Sequence, residues 1–393
     1  MKKGRIINFE WMCDYNHWHP DDFDAVALDL IKKDIDAVAA EGCNMIMGVY
    51  MLDGFLYLST RYRQFINLLN NVIEYANTKG IDEVVVVSGQ GEFIDKLPVE
   101  SYFVDYNTRM MYNAYKHTMN DIPEYNPTYD KFLFLTGMPN RPNRIGLLSK
   151  FYDAGLLKQA KWSFFAPWTD IDKKWCREHL NHYNDEQYNT FLKDCEYSFD
   201  EKFESAKPYY GTYNGDTDIK MHDMVEAEWV KSPTYINSAV YKDTWFSIVS
   251  EGPNYWGDEN RFVTEKLWRV FLHKHPFIFA GEPEQFEYIK YLGYKTFEDY
   301  MLIKDYAYIV DENDRLDAVV KNTQHWLKNK DTYIKQIQED VEYNYNLFMK
   351  EIEDKNNLLN KFETDYGIPR KEIDYYFNGL GYDTIIRKIP DGY

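Results

Sequence analysis

The first 120 residues alternate short apolar runs with longer stretches in which apolar positions repeat at helical spacing. The runs RIINFEW, CNMIMGVYM and DEVVVVSG predict strands, and the two stretches between them predict helices. The first helix is bounded by Asp21 or Asp22 near its N-cap and by Gly42 just past its end. Alternating strands and helices are typical of a parallel sheet covered on both faces. The pattern predicts a Rossmann-like domain over residues 1–125.

A polar stretch that carries aromatic residues and proline, HTMNDIPEYNPTYDK, precedes a second series of the same kind. In that series KFLFLTG, DTWFSIVSE and HPFIFAG predict strands, while NRIGLLSKFYDAGLL and RFVTEKLWRVFLH predict helices. We expect a second domain over 126–311, with an insertion of helices and loops at about 165–240, where the periodicity is weak. Residues 312–393 are charged and mainly helical. Their narrow, interrupted apolar stripe favours bracing of the first domain over pairing of two chains.

Composition and charge exclude several classes of protein. Of the 393 residues, 45% are hydrophobic and 18% aromatic, which excludes disorder over most of the chain. A formal net charge of −19 opposes general association with nucleic-acid backbones and anionic membranes. The four cysteines form no CxxC pair and no histidine group completes a zinc motif, so no metal site is expected. With no apolar run long enough for a signal peptide or a membrane span, we expect a cytoplasmic protein.

The most informative segment is WFSIVSEGPNYWGDENRFVTEK, in which a strand ends at Glu251 and a polar loop leads to a helix opened by Thr264, Glu265 and Lys266. Parallel sheets bind nucleotides at the carboxyl ends of their strands, where helix N-termini favour anions. Glu265 is placed to accept ribose hydroxyls and Lys266 to meet a phosphate. The alternative is that Glu265 and Lys266 are only solvent-exposed residues in the first turn of a helix.

A second candidate segment is FLFLTGMPNRPNRIGLLSK, where Arg141 and Arg144 follow a buried strand and stand at the mouth of a helix. Guanidinium groups bind phosphate oxygens in bidentate fashion, so two of them at this spacing fit one diphosphate. Solvated arginines on a first turn are the alternative.

Three segments carry a family resemblance: FVTEKLWR, KFLFLTGMPNRPNRIGLLSKFYDAGLL and GEPEQFEYIKYLGYKTFEDY. Together, over about residues 131–310, they resemble the α-1,3-fucosyltransferase family and its virus-encoded glycosyltransferase relatives. The resemblance implies an α/β fold of the GT-B type, in which two Rossmann-like domains face each other across a cleft and a helical C-terminal tail follows. It also implies an inverting transferase that needs no metal and no cofactor, with a GDP- or UDP-linked sugar as co-substrate.

The resemblance implies roles for residues of the two candidate segments described above. It implies that Glu265 holds the donor ribose and that Lys266 meets the diphosphate, together with either Arg141 or Arg144. Phe262 stands where the family often has tyrosine, so it can flank the donor without donating a hydroxyl hydrogen bond.

The sequence departs from the family at one donor-binding position. The family's Phe-Glu-Asn-Ser run reads Val-Ser-Glu-Gly here at 249–252, so its asparagine is missing and Asn254 or Asn260 is expected to substitute. A first-domain base should take the acceptor proton. Glu92, after the VVVV strand, is the first choice, and Asp14, in the loop after strand one, is the second.

Three functions fit these observations. The leading hypothesis is transfer of a sugar from a nucleotide-diphospho-sugar to a glycan or other hydroxyl acceptor. A phage-type transferase that modifies a hydroxymethylated DNA base is the first alternative, and it would need a basic groove despite the net charge. A non-catalytic nucleotide-sugar-binding protein is the second, motivated by the missing asparagine. The basic residues available for a DNA groove in the first domain are Lys2, Lys3, Arg5, Arg61 and Arg63.

Overall fold

The structure is a computed structural model, and it describes residues 2–9, 23–50, 59–88, 97–103, 130–135, 142–163, 170–196, 241, 244–252 and 263–377. The described residues form two compact units. Unit one contains those up to residue 103 together with 350–377, and unit two contains those from 130 to 349. Each unit is built on a four-stranded parallel sheet. The α/β prediction is confirmed at this level, while the predicted boundary at residue 125 lies outside the described residues.

Unit one has a sheet whose strand order follows the chain, β1-β2-β3-β4. Because parallel strands are joined by right-handed crossovers, this order places both connecting helices on one face. The three strands and two helices predicted from periodicity are present, whereas the short edge strand β4 was not predicted. The elements are β1 (Gly4–Asn8), α1 (Phe23–Ala40), β2 (Met45–Tyr50), α2 (Ser59–Thr78), β3 (Glu83–Ser88) and β4 (Glu100–Phe103).

Alternate residues of this sheet face two separate cores. Ile7 and Val86 belong to the core beneath α1 and α2. Val85, on the opposite face, belongs to a core that the end of the chain completes with Phe362 and Ile373, both fully buried. These two residues belong to α8 (Glu312–Tyr366) and α9 (Arg370–Phe377). Burying such a side chain contributes about 1.5–3 kcal/mol, so the second face of the sheet depends on these helices.

The turn between α8 and α9 is fixed against β1. Gly367 has a φ of 63°, and a Cβ there would collide with the backbone carbonyl of Lys2, so the position requires glycine. Arg5 forms ion pairs with Glu41 and Glu372, which ties α9 to the first strand. The guanidinium of Arg5 is therefore paired with two carboxylates.

Unit two has the strand order β6-β5-β7-β8. Strand β6 is added on one side of β5, and β7 and β8 are added on the other, so the order in which strands are added reverses between β5 and β7. The predicted strands and helices of this half are present, and β6 is an additional strand. The elements are β5 (Phe132–Leu135), α3 (Pro142–Asp153), β6 (Ala160–Ser163), α4 (Asp170–His179), α5 (Asp185–Glu196), β7 (Phe246–Ser250), α6 (Glu265–Leu272), β8 (Phe277–Ala280) and α7 (Pro283–Tyr291).

The reversal places α3 and α6 on opposite faces of the sheet. Phe134 on β5 packs edge-on against Phe151 of α3, with ring centroids 5.2 Å apart. Phe277 on β8 packs against Phe271 of α6, with centroids 5.7 Å apart. Phe277 is in register with Ser247, whose side chain points away from the face that carries Phe134 and its partner Ile248. Both faces of this sheet are therefore covered by helices that its own strands lead into.

The first part of the 55-residue helix α8 packs on unit two. Trp326, fully buried, stacks on Trp245 with ring centroids 5.3 Å apart and donates its indole N–H to the carbonyl of Tyr300 at 3.0 Å. Asn329 leaves helical geometry with a φ of −113°, and its amide donates to the carbonyl of His325 at 2.9 Å. Despite its length α8 is too polar to cross a bilayer, and no other helix in the described ranges meets that requirement.

A pair of buried histidines lies at the start of β8. His273 and His275 are 1% and 3% exposed. The ring of Tyr241 stacks on His273 with centroids 4.1 Å apart, and His275 Nδ1 accepts from the hydroxyl of Ser247 at 2.7 Å. Burial disfavours the charged imidazolium and lowers the pKa of His273 to about 3 and that of His275 to about 4. Both rings are therefore neutral in the folded protein near pH 7.

We expect the stability of unit two to fall with decreasing pH. Between the unfolded imidazole pKa of 6.5 and the folded values near 4 and below, the unfolded chain binds protons on both rings and the folded chain does not. The unfolding free energy therefore decreases as pH falls through this window, by up to roughly 1.4 kcal/mol per pH unit for each ring. Urea unfolding from about pH 7.5 to about pH 5.5 measures the slope.

His273→Phe keeps an aromatic ring against Tyr241 and removes one titrating group, so its slope should be shallower than that of the wild type. His182→Gln, which removes an exposed imidazole, is the matched control and should keep the wild-type slope. Equal slopes for the wild type and His273→Phe would contradict the prediction.

Candidate functional site

The candidate site lies at the carboxyl edge of the unit-two sheet. Because β5 and β7 are neighbours and the chain leaves them toward opposite faces, this edge contains a topological switch point, where open α/β sheets bind ligands. Helices α3, α6 and α7 are the helices that follow β5, β7 and β8 along the chain, so their N-termini lie at the same edge. Their first backbone N–H groups and their dipoles favour negative charge there.

A fully buried carboxylate, that of Glu251, fixes the start of α6. The side chain of Glu251 has 0% exposure. Its Oε1 accepts the backbone N–H of Thr264 at 2.8 Å, and its Oε2 accepts the hydroxyl of Thr264 at 2.7 Å. A buried carboxylate is tolerated only when it is hydrogen-bonded or paired, so these contacts are what make the position of Glu251 stable. They also hold Thr264 as the N-cap of α6.

The Thr264 hydroxyl connects this carboxylate to a cation. While the hydroxyl donates to Glu251, its oxygen accepts two hydrogen bonds from Lys266. One comes from the ammonium at 2.9 Å and the other from the backbone N–H at 3.4 Å. The ammonium is thus one hydroxyl group away from the buried negative charge and lies over the first turn of α6. The glutamate, threonine and lysine form one chain of charge-assisted hydrogen bonds, which places a positive charge at the carboxyl edge.

Two buried amide side chains hold the loop after β7 from either side. Asn143, in the first turn of α3 and 3% exposed, donates its amide N–H to the carbonyl of Glu251. Gln285, in the first turn of α7 and 5% exposed, donates to the carbonyl of Gly252 at 3.5 Å. A Cβ at Gly281 would lie 2.6 Å from the Gln285 oxygen, so that close approach requires glycine. The first turns of α3 and α7 are therefore both hydrogen-bonded to the loop that follows β7.

The structure brings together several residues that the sequence analysis singled out. Glu251, Thr264 and Lys266 form one hydrogen-bonded chain, as described above. Arg144 lies in the first turn of α3, is 7% exposed and has contacts within the protein. Glu265 is the first residue of α6, and its side chain lies outside the described part. The candidates that fall outside the described residues altogether are Asp14, Glu92, Arg141, Asn254, Asn260 and Phe262.

Sequence reasoning missed Asn143 and Gln285. Asn143 stands between a helix-opening proline and an arginine, and in the sequence it is one polar residue of a first turn among many. The one signal nearby is Pro142, because proline is typical of the first helical position and therefore marks the start of α3.

Comparison of the chain with protein-family models, with curated proteins and with solved structures finds no match. The resemblance to the α-1,3-fucosyltransferase family stays an expectation drawn from the three segments quoted above. Among the described residues no three His, Cys, Asp or Glu side chains are grouped so that they could hold a metal ion.

We expect the Thr264 hydroxyl to contribute strongly to stability. Thr264→Val removes the N-cap acceptor of α6 and one of the donors that satisfy the buried Glu251 carboxylate. The variant should lose about 2 kcal/mol of unfolding free energy, measured by urea denaturation. Thr264→Ser keeps the hydroxyl and should retain most of the stability. A Thr264→Val variant as stable as Thr264→Ser would show that the hydroxyl does not hold the carboxylate.

Proposed function

We propose that this protein is an inverting glycosyltransferase of the GT-B type that uses a nucleotide-diphospho-sugar. In this proposal unit two binds the nucleotide sugar at the carboxyl edge of its sheet, and unit one binds the hydroxyl acceptor. The observation that supports it most is the convergence of a topological switch point, three helix N-termini and the Lys266 ammonium at one edge.

The chemistry of a diphosphate matches that edge. A diphosphate carries concentrated negative charge and many hydrogen-bond acceptors, and the edge offers backbone N–H donors, helix dipoles and a lysine. Lys266 is anchored by Thr264, so its charge is held near the first turn of α6 before a ligand arrives. A cation that is positioned in advance stabilises a leaving group without reorganisation during the reaction.

The reaction would proceed by direct displacement at the anomeric carbon. The acceptor oxygen forms a bond to that carbon while the bond to the nucleoside diphosphate breaks, and the leaving diphosphate takes up the electron pair. Lys266 and the helix N-termini stabilise the negative charge that develops on it. A base in the first domain, Glu92 or Asp14, accepts the proton of the acceptor hydroxyl.

Replacing Lys266 tests the proposed function directly. We expect Lys266→Ala to weaken donor binding roughly ten- to a hundredfold, the range expected when a hydrogen bond to a charged group is lost. The backbone N–H of Lys266 still caps onto Thr264 in the variant, so the protein should remain folded. Thermal shift and calorimetry with GDP-, UDP-, CMP- and dTDP-linked sugars measure the loss and identify the nucleotide, because a ligand of the native state raises its melting temperature.

Lys158→Ala is the matched control. Lys158 is exposed and lies in the turn Leu156–Gln159, which precedes β6 and is therefore at the amino edge of the same sheet. The variant removes the same charge and should bind donors like the wild type. Absence of binding by the wild type to every donor in the panel would contradict the proposed function. Binding without transfer or hydrolysis would replace it by a non-catalytic, nucleotide-sugar-binding role.

A further inference from the structure

Two buried oxygen atoms at the carboxyl end of β7 have no hydrogen-bond partner among the described residues. They are the amide oxygen Oδ1 of Asn143 and the hydroxyl oxygen of Ser250. The two side chains are 3% and 1% exposed. Burying a polar group without a partner costs about 1–3 kcal/mol, so native structures rarely keep two such groups at one place without a purpose.

The two oxygens belong to the same corner of unit two. Asn143 contacts the carbonyl of Glu251, the residue that follows Ser250. Ser250 is two residues after Ile248, which is in register with Phe134 and therefore on the face that α3 covers. The Ser250 side chain thus points toward the helix whose first turn carries Asn143. The corner lies at the switch point, beside the helix N-termini described above.

The chemistry of the two groups restricts what can bind them. The Asn143 N–H faces a carbonyl, which fixes the orientation of the amide and leaves Oδ1 as an acceptor that needs a donor. A phosphate oxygen near pH 7 brings no hydrogen and would oppose Oδ1. A hydroxyl group donates one hydrogen bond and accepts another, so it can serve the amide oxygen and the serine hydroxyl together.

We propose that Asn143 and Ser250 form a subsite that binds a sugar hydroxyl of the nucleotide sugar. This inference rests on the proposed function and adds to it a pair of neutral residues that select the ligand by its hydroxyl pattern. The hydroxyl belongs either to the ribose of the nucleotide or to the sugar that is transferred, and the experiment below distinguishes the two.

Ser250→Ala is the decisive variant, because in the free protein it removes a hydroxyl that has no described partner. Its melting temperature without ligand should equal or exceed that of the wild type. Its dissociation constant for the nucleotide sugar selected by the panel above should rise about tenfold, measured by calorimetry. The same measurement with the nucleoside diphosphate alone locates the hydroxyl. Weaker binding of both ligands assigns it to the ribose, and weaker binding of the nucleotide sugar alone assigns it to the transferred sugar.

Ser247→Ala provides the matched control in the same strand. Ser247 is also buried, at 3% exposure, but its hydroxyl donates to His275. This variant should lower the melting temperature without ligand and leave the dissociation constant unchanged. Unchanged affinity in Ser250→Ala, with a wild type that binds, would overturn the subsite and leave the proposed function standing. Failure of the wild type to bind any donor would overturn both.

Discussion

The carboxyl edge of unit two depends on one constraint, the complete burial of the Glu251 carboxylate. A charge without access to water costs several kcal/mol unless hydrogen bonds replace its hydration. Thr264 supplies those bonds through both its backbone and its hydroxyl, so the end of β7 and the start of α6 must lie together. The position of Lys266 follows, because its ammonium binds the same hydroxyl. A structural need for charge compensation thus determines where this cation lies.

The second face of the sheet is covered by different elements in the two units. In unit one the strand order follows the chain, so both crossover helices lie on one face and the other is left to α8 and α9. In unit two the order reverses between β5 and β7, and the sheet's own crossover helices cover both faces. Only a reversal makes neighbouring loops diverge at a sheet edge, so within the described strands the switch point, the place where open α/β sheets bind ligands, belongs to unit two.

Local pattern was enough to predict most elements of the fold. The all-valine centre of β3 and the Thr264–Lys266 run that opens α6 are signals that operate over a few residues, and both elements are present in the structure. Strands β4 and β6 are as short as β5 and β8, but they mix polar and apolar residues, whereas β5 and β8 are wholly apolar, so no apolar run marks them in the sequence. Strand order is not a local property either, because it depends on which distant segments pair. The same holds for Asn143, whose importance comes from a carbonyl 108 residues away in the chain.

In the proposed function, affinity and selectivity at this edge have different physical sources. The charge on the chain is strongly negative as a whole, but ionic screening over a Debye length of about 8 Å makes the local groups decisive for a bound diphosphate. Helix N-termini and one lysine attract any nucleoside diphosphate, since a phosphate carries no information about the base or the sugar. Discrimination requires neutral groups whose hydrogen-bonding needs are unmet until the right ligand arrives, because an unsatisfied buried group penalises every ligand that fails to pair with it. In the proposed subsite Asn143 and Ser250 are two such groups, and the selection that they provide would offset the stability that this corner costs in the free protein.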